Sequence, residues 1–215
     1  MSFVLHFHPL SSFCQKVLIA LYENGAPFER HIVDLGDAES GGAFRKLWPI
    51  GKMPVLRDED RDRTVPESSI IIEYLDLFHP GADRLIPADP ALALAARLSD
   101  RLFDLHVQLP MQKIVGDRLR PAGKTDPQGV ADAKTALASA YAFLEADLEA
   151  KAWAAGEVFT IADCAAAPAL FFADKVVPFR DSHRALARYF ARLTERPSVV
   201  RTFAEAEPYL KLFPG

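Results

Sequence analysis

The sequence predicts a mixed α/β unit of about 80 residues, a size typical of a small domain, followed by an all-helical unit. Three observations carry that reading. From residue 2 to 78 the hydrophobic period switches repeatedly between two and three-to-four. After "HPGADRLIP" only the helical period remains. That stretch is itself rich in proline, glycine and charge, the composition of a connection rather than of an element. The boundaries follow as residues 1–79, a linker over 80–90, and 91–215.

Each element has its own signal. Phe3, Leu5 and Phe7 alternate with Val4, His6 and His8, which predicts a strand over Ser2 to His8 with the aromatics on one face. Cys14, Val17, Leu18 and Leu21 then recur at three and four, and the pattern stops at Asn24-Gly25, a helix closed by a glycine cap. Phe28 to Asp34 reads as a second strand and Gly41 to Leu47 as a short helix or loop. Pro54 to Arg57 and Thr64 to Pro66 read as two short strands around an acidic turn. Ile71, Tyr74, Leu75 and Phe78 give a last helix, so the order is β-α-β-α-β-β-α. Beyond the linker, Leu98, Leu102, Leu105 and Leu109 form one helical stripe, with a kink expected near Pro110 because proline removes a backbone donor. Leu137, Tyr141, Leu144 and Leu148 form another, and helical patterns follow around 160–173, 183–194 and 198–206.

Composition narrows the function. The 215 residues are 50% hydrophobic and 25% charged with a net charge of -4, which gives no electrostatic reason to expect nucleic acid or an anionic membrane. The most apolar segment, Cys164 to Ala173, contains Pro168 and falls short of the roughly 20 residues that span a bilayer. No secretory pattern opens the chain, so a cytoplasmic protein is expected. Cys14 and Cys164 are too few for a disulfide scaffold and lack metal-site spacing.

The stretch "HPLSSFCQKVLIAL" places two serines and a cysteine at the threshold of the first helix. Serine is a good helix cap, so Ser11 and Ser12 have an ordinary role in satisfying orphan amides. They also stand where a hydroxyl and a helix N-terminus together favour an anion. Cys14, on the apolar stripe, reads as a small buried hydrophobe. "PESS" places Ser68 at the start of the third helix, where hydroxyl and amides suit a carboxylate, with Glu67 beside it. "FTIADCAAAP" contains a capping box, Thr160 with Asp163, whose role is folding. His6 and His8 share a strand face without a third ligand and read as structural.

"LSSFCQKVLIALYENGAPFE", "PIGKMPVL", "PESSIIIEYL" and "FTIADCAAAP", in this order and spacing, resemble a cytosolic glutathione transferase over nearly the whole chain. The resemblance implies a thioredoxin-like N-terminal domain that binds glutathione as co-substrate, a helical C-terminal domain that supplies the electrophile pocket, no metal, and a homodimer. It is to the serine-type members, the theta and zeta classes, whose thiolate-binding serine aligns with Ser11, with Ser12 the alternative one register away. It also implies a cis Pro54 with Met53 offering its backbone to the cysteinyl part of glutathione, Lys52 for the glycyl carboxylate, Ser68 for the γ-glutamyl carboxylate and Glu67 for its ammonium. Trp48-Pro49 replaces the Asn-Pro often found before Gly-Lys in the family. Asp100 or Asp104 would offer an acidic group to the glutamyl ammonium of the neighbouring subunit. His106, Met111, Ile114, Val115, Phe171, Tyr209 and Phe213 are candidates for the electrophile pocket.

The expected function is therefore activation of the glutathione thiolate for attack on a small hydrophobic electrophile, as in detoxification. Three alternatives stand beside it: a glutathione-dependent isomerase of the maleylacetoacetate isomerase kind, a thiol-disulfide oxidoreductase acting through Cys14, and a binding protein that uses the same fold without turnover.

Overall fold

The computed structural model describes residues 3–214. Strand β1 (Phe3–Phe7) lies inside a four-stranded mixed sheet of order β2-β1-β3-β4, parallel to β2 (Phe28–Ile32) and antiparallel to β3 (Val55–Asp58), which pairs in turn with β4 (Arg63–Pro66). The aromatic face read from the sequence is the buried one: Phe3, Leu5 and Phe7 are sealed from solvent. They pack on Cys14, Val17, Leu18 and Leu21 of helix α1 (Ser12–Asn24) and on Ile71 and Leu75 of α3 (Ser68–Phe78). On the other face Val33 and Val55 meet Phe44 of α2 (Ala38–Leu47). This helix starts three residues before the expected Gly41 because the Asp37 carboxylate accepts from the Ser40 amide at 2.7 Å and caps it. Gly25 closes α1 at φ 74°, donating to the Leu21 carbonyl, as Asn24-Gly25 predicts.

Between α3 and α4 (Pro90–Leu102) the chain is irregular and tied down. The Asp76 carboxylate accepts from the Leu85 and Ile86 amides, and Gly81 sits so close to Asn24 that an added Cβ would lie 2.7 Å from its carbonyl oxygen. All later elements are helical: α4, a π-helical turn (Phe103–Gln108), α5 (Leu109–Arg118), α6 (Pro127–Asp147), α7 (Ile161–Val176), α8 (Arg184–Glu195), α9 (Pro197–Ala206) and a 3-10 turn (Glu207–Leu212). Helix α7 runs through their centre, packed against α1, α4, α5, α8 and the π turn. Its alanines allow the close approach. The buried carboxylate of Asp163 anchors it, accepting from the Thr160 amide (2.8 Å), the Ala154 amide (2.9 Å) and the Tyr189 hydroxyl (2.7 Å), so the predicted capping box is present and extended.

Two departures from the sequence reading bear on the site. The bend expected at Pro110 takes the form of the π turn just before it, in which the Leu109 amide donates five residues back to the Asp104 carbonyl. Widening that turn makes room for a ring that cannot donate. The leucine stripe that runs from α4 through the π turn to the start of α5 does not face the core: Leu98 is 60% exposed and Leu105 and Leu109 are each 45% exposed, while Ala93, Ala96, Asp100, Phe103 and Val107 point inward. Close packing of α4 on α7 requires small side chains there, and the leucines are displaced outward.

Candidate active site

The loop from β1 to α1 is set by short-range bonds. The Ser11 amide donates to the His8 carbonyl (3.0 Å), the Gln15 amide to the Ser11 carbonyl (2.9 Å), and the buried Gln15 side chain to the Pro9 carbonyl (2.8 Å). Ser11 occupies the cap position of α1 in extended conformation, yet its side chain makes no capping bond, and no acidic residue lies in the first turn. Its hydroxyl contacts the sulfur of Cys14. That thiol is fully buried, and desolvation pushes its pKa to about 12 despite the Ser11 contact. A thiol that stays protonated can donate to Ser11 Oγ and leave the Ser11 O–H to point elsewhere.

Ser11 opens onto a cleft of about 400 Å³ together with Lys52, Met53, Pro54, Glu67 and Ser68, all six read from the sequence as site residues. The Met53–Pro54 peptide is cis. Glu67 has φ 70° and ψ 119°, an unfavourable backbone for a residue with a Cβ. It precedes α3 without a side-chain cap. Two helix N-termini, those of α1 and α3, therefore meet at one cleft with their first amides free of side-chain acceptors, and Lys52 adds a formal positive charge. Such an arrangement favours a ligand with several anionic groups.

Ser12 takes a different role. It is buried, faces away from the cleft, and accepts a hydrogen bond from the side-chain amide of Gln108 in the π turn. One helical turn further, Lys16 is 1% exposed and bonds Asp100 (2.5 Å), Asp104 (2.8 Å) and Ser69 (2.8 Å), while Arg101 reaches the same two carboxylates and Ser69. Burial raises the Asp104 carboxyl above its ordinary value against the pull of Lys16. Both acids named as candidates for a neighbouring subunit are thus engaged within their own chain. Their outer atoms still line a second cleft of about 500 Å³, with Arg97 and Glu73, that continues from Glu67 and Ser68.

The candidates for the electrophile pocket are scattered. Met111 and Ile114 lie in the helical core at 3% and 2% exposure, and Val115 packs against it. Phe171 stacks on Phe203 and Phe213 on Phe172. Tyr209 meets His8 edge-on, 5.2 Å between ring centres, and so touches the Ser11 loop from behind. His106 opens onto a separate apolar cleft with Leu102, Ala136 and Phe143. Instead, Phe13, Leu35, Leu109 and Gln112 line the Ser11 cleft. Leu109 and Gln112 share one face of α5 at a spacing of three, and Met111 and Ile114, also three apart, share the inward face. The sequence shows both pairs but not which one faces the cleft. The His6 ring lies against that of His31, tilted by 47° with 4.6 Å between ring centres, and burial together with that neighbour lowers its pKa to about 4.

Residues 5–83 match the family model for the glutathione S-transferase N-terminal domain, and residues 102–197 that for the C-terminal domain. A glutathione S-transferase-like protein, LUC7, of a Fusarium species is 31% identical over 162 residues, 74% of this chain and 71% of that one. The chain belongs to the glutathione S-transferase family. FtsZ-localized protein A of Caulobacter vibrioides is 29% identical over 217 residues, covering 96% of this chain and 92% of that protein. The crystal structure of a glutathione S-transferase from Methylobacillus flagellatus with glutathione bound superposes with a TM-score of 0.85 at 27% identity, over 93% of this chain and 98% of that one. The mixed sheet with its helices is accordingly a thioredoxin-like domain, and the helical part is the C-terminal domain of this family.

Proposed function

We propose that this protein is a serine-type glutathione transferase in which Ser11 stabilises the glutathione thiolate. The observation that carries the reading is the convergence of two uncapped helix N-termini and Lys52 on one cleft. Glutathione presents a thiol, two carboxylates and an ammonium. In the proposed pose the sulfur meets Ser11 at the start of α1, the γ-glutamyl carboxylate meets Ser68 and the amides of α3, the ammonium meets Glu67, the glycyl carboxylate meets Lys52, and Met53 lies along the cysteinyl backbone. The thiol proton leaves to solvent, the thiolate attacks an electrophilic carbon bounded by Phe13, Leu35, Leu109 and Gln112, and a thioether forms as the leaving group departs with the bonding pair.

Cys14 is a poor candidate for thiol exchange, since a buried thiol with its pKa pushed to about 12 supplies no thiolate near neutrality. Isomerisation uses the same thiolate and differs only in the electrophile. One further reading, a partner-binding role without turnover, draws support from the full-length similarity to FtsZ-localized protein A and from the apolar side chains that α3 and α4 leave exposed. Those side chains, Ile70, Leu77, Leu94 and Leu98 among them, also support the homodimer. No helix among the described residues is long and apolar enough to cross a membrane.

The test is a pH titration of the thiolate absorbance of bound glutathione, paired with conjugation of a panel of aryl halides, epoxides and unsaturated carbonyls. A thiol pKa at least about one unit below that of free glutathione, together with turnover of any of these, supports the proposal. Binding with an unshifted pKa and no turnover favours the partner-binding role.

A further inference from the structure

Gln108 is 2% exposed, in the π turn of the helical domain. Its side-chain nitrogen donates to the Ser12 hydroxyl, while its side-chain oxygen is buried with no hydrogen-bond partner among the described residues. Stability alone does not account for this residue. An apolar side chain of similar volume would fill the space without leaving a carbonyl unpaired, and an unpaired buried acceptor costs its full desolvation. Gln15 repeats the arrangement one turn along α1: its nitrogen donates to the Pro9 carbonyl and its oxygen is likewise buried without a partner. Two buried amides thus grip the segment Pro9 to Ser12 from below, one on each side of Ser11.

The grip from Gln108 has a second rung. Ser12 and Lys16 lie one turn apart on α1, and Gln108 and Asp104 lie one turn apart on the π turn; Ser12 pairs with Gln108 and Lys16 with Asp104. The π turn that carries these contacts runs directly into Leu109 and Gln112 on the cleft wall. The first turn of the thiolate-binding helix is therefore held by the domain that would receive the electrophile.

We propose that Gln108 is a positioning residue for the thiolate: by holding Ser12 it fixes the first turn of α1, so that the Ser11 O–H and the helix amides point at the glutathione sulfur. A hydrogen bond weakens steeply as its angle opens, so a small rotation of that turn costs thiolate stabilisation without removing any group that touches glutathione. The inference rests on the assignment of Ser11 made above.

The experiment compares the full chain with Gln108→Leu, Ser12→Ala and the double variant, each titrated for the thiol pKa of bound glutathione, assayed for conjugation of chlorodinitrobenzene, and melted. Each single variant is expected to raise the bound thiol pKa by about half a unit and lower kcat at neutral pH about twofold, with the KM for glutathione unchanged. The double variant should be no worse than either single one, because both break the same contact. Gln108→Leu removes the unpaired carbonyl but leaves the buried Ser12 hydroxyl without its donor, so it should melt close to the wild-type temperature, and the double variant at or above the Gln108→Leu value, which separates positioning from folding. A pKa and pH–rate profile unchanged in both single variants overturns the inference while leaving the Ser11 assignment standing. Wild-type protein that binds glutathione without lowering its thiol pKa overturns both. If Gln108→Leu does not fold, Ser12→Ala decides alone, on the same pKa readout.

Discussion

Replacing Ser11 by alanine tests the central assignment, and the structure sets the size of the effect. The thiol of free glutathione has a pKa near 8.5 or above, so only about 3% is ionised at pH 7. A hydrogen bond to a charged acceptor contributes about 1.5–3 kcal/mol, or about one to two pKa units. The Ser11 O–H is available for such a bond because it makes no capping interaction and the protonated Cys14 thiol beside it can act as the donor in their contact. If wild-type enzyme holds the thiol near pH 7, loss of the hydroxyl returns it to about 8–9, and the ionised fraction at pH 7 falls from about half to between a tenth and a hundredth. The more basic thiolate is intrinsically more nucleophilic, which recovers about two- to threefold per pKa unit. The net expectation is a loss of about two- to eightfold in kcat at neutral pH, fading as the pH rises above the thiol's free value.

The KM for glutathione should change little, since the contacts proposed for its carboxylates and ammonium lie at Ser68, Lys52 and Glu67. The melting temperature should also stay close to wild type, because the side chain caps nothing, and substitutions of that kind stay within about 0.5 kcal/mol. The amides of α1 survive the change, so Ser11→Ala should be impaired rather than inactive. A pH–rate profile that superimposes on the wild-type curve would refute the assignment.

Three further outcomes are expected. Asp163→Ala strips the acceptor from two backbone amides and the Tyr189 hydroxyl in a sealed site, and should cost about 3 kcal/mol or more in urea denaturation. Glu145 loses solvation in place, but the Ala185 and Leu186 amides at the start of α8 outweigh that and hold its pKa below the ordinary 4.5. Its stabilisation is present above that pH and is lost as the pH falls through the lowered native value, so the stability gap between wild type and Glu145→Gln should close under acid. If the proposed homodimer forms through the exposed leucines of α4, Leu94→Asp with Leu98→Asp should shift the protein to a monomer in sedimentation while leaving its melting cooperative, since both leucines are more than half exposed in the single chain; an unchanged sedimentation coefficient would overturn that placement.

What the sequence shows and what it hides separate along one line. Elements defined by their own side chains were legible: the aromatic face of β1, the glycine stop of α1 and the capping box at Thr160 all depend on signals within a few positions of each other, whereas the grouping of Lys52, Met53, Pro54, Glu67 and Ser68 with Ser11 was implied by the family resemblance and not by any local pattern. Contacts made by a second domain were not legible. The stripe Leu98–Leu102–Leu105–Leu109 has the spacing of a core face, yet α4 approaches α7 too closely for leucine, and alanines take the inward positions. Periodicity reports that a helix has an apolar side; it does not report what that side meets.

The same limit explains why α1 was read as a helix with one apolar stripe when it is buried nearly all round. Val17, Leu18 and Leu21 face the sheet, while Ile19 and Ala20 join the helical core. Gln15 and Lys16, polar residues on which the stripe is silent, are 0% and 1% exposed. A buried glutamine costs more than leucine unless its amide is used, and a buried lysine costs more unless paired. The pairing partners come from 88 positions away in the case of Lys16 and Asp104, and 96 in the case of Ser12 and Gln108. No local pattern encodes a match at that distance. Polar residues set inside an otherwise apolar helix are nonetheless visible in "SSFCQKVLIAL", and their presence on a helix that both hydrophobic cores share marks where the helical domain takes hold of the β1–α1 loop.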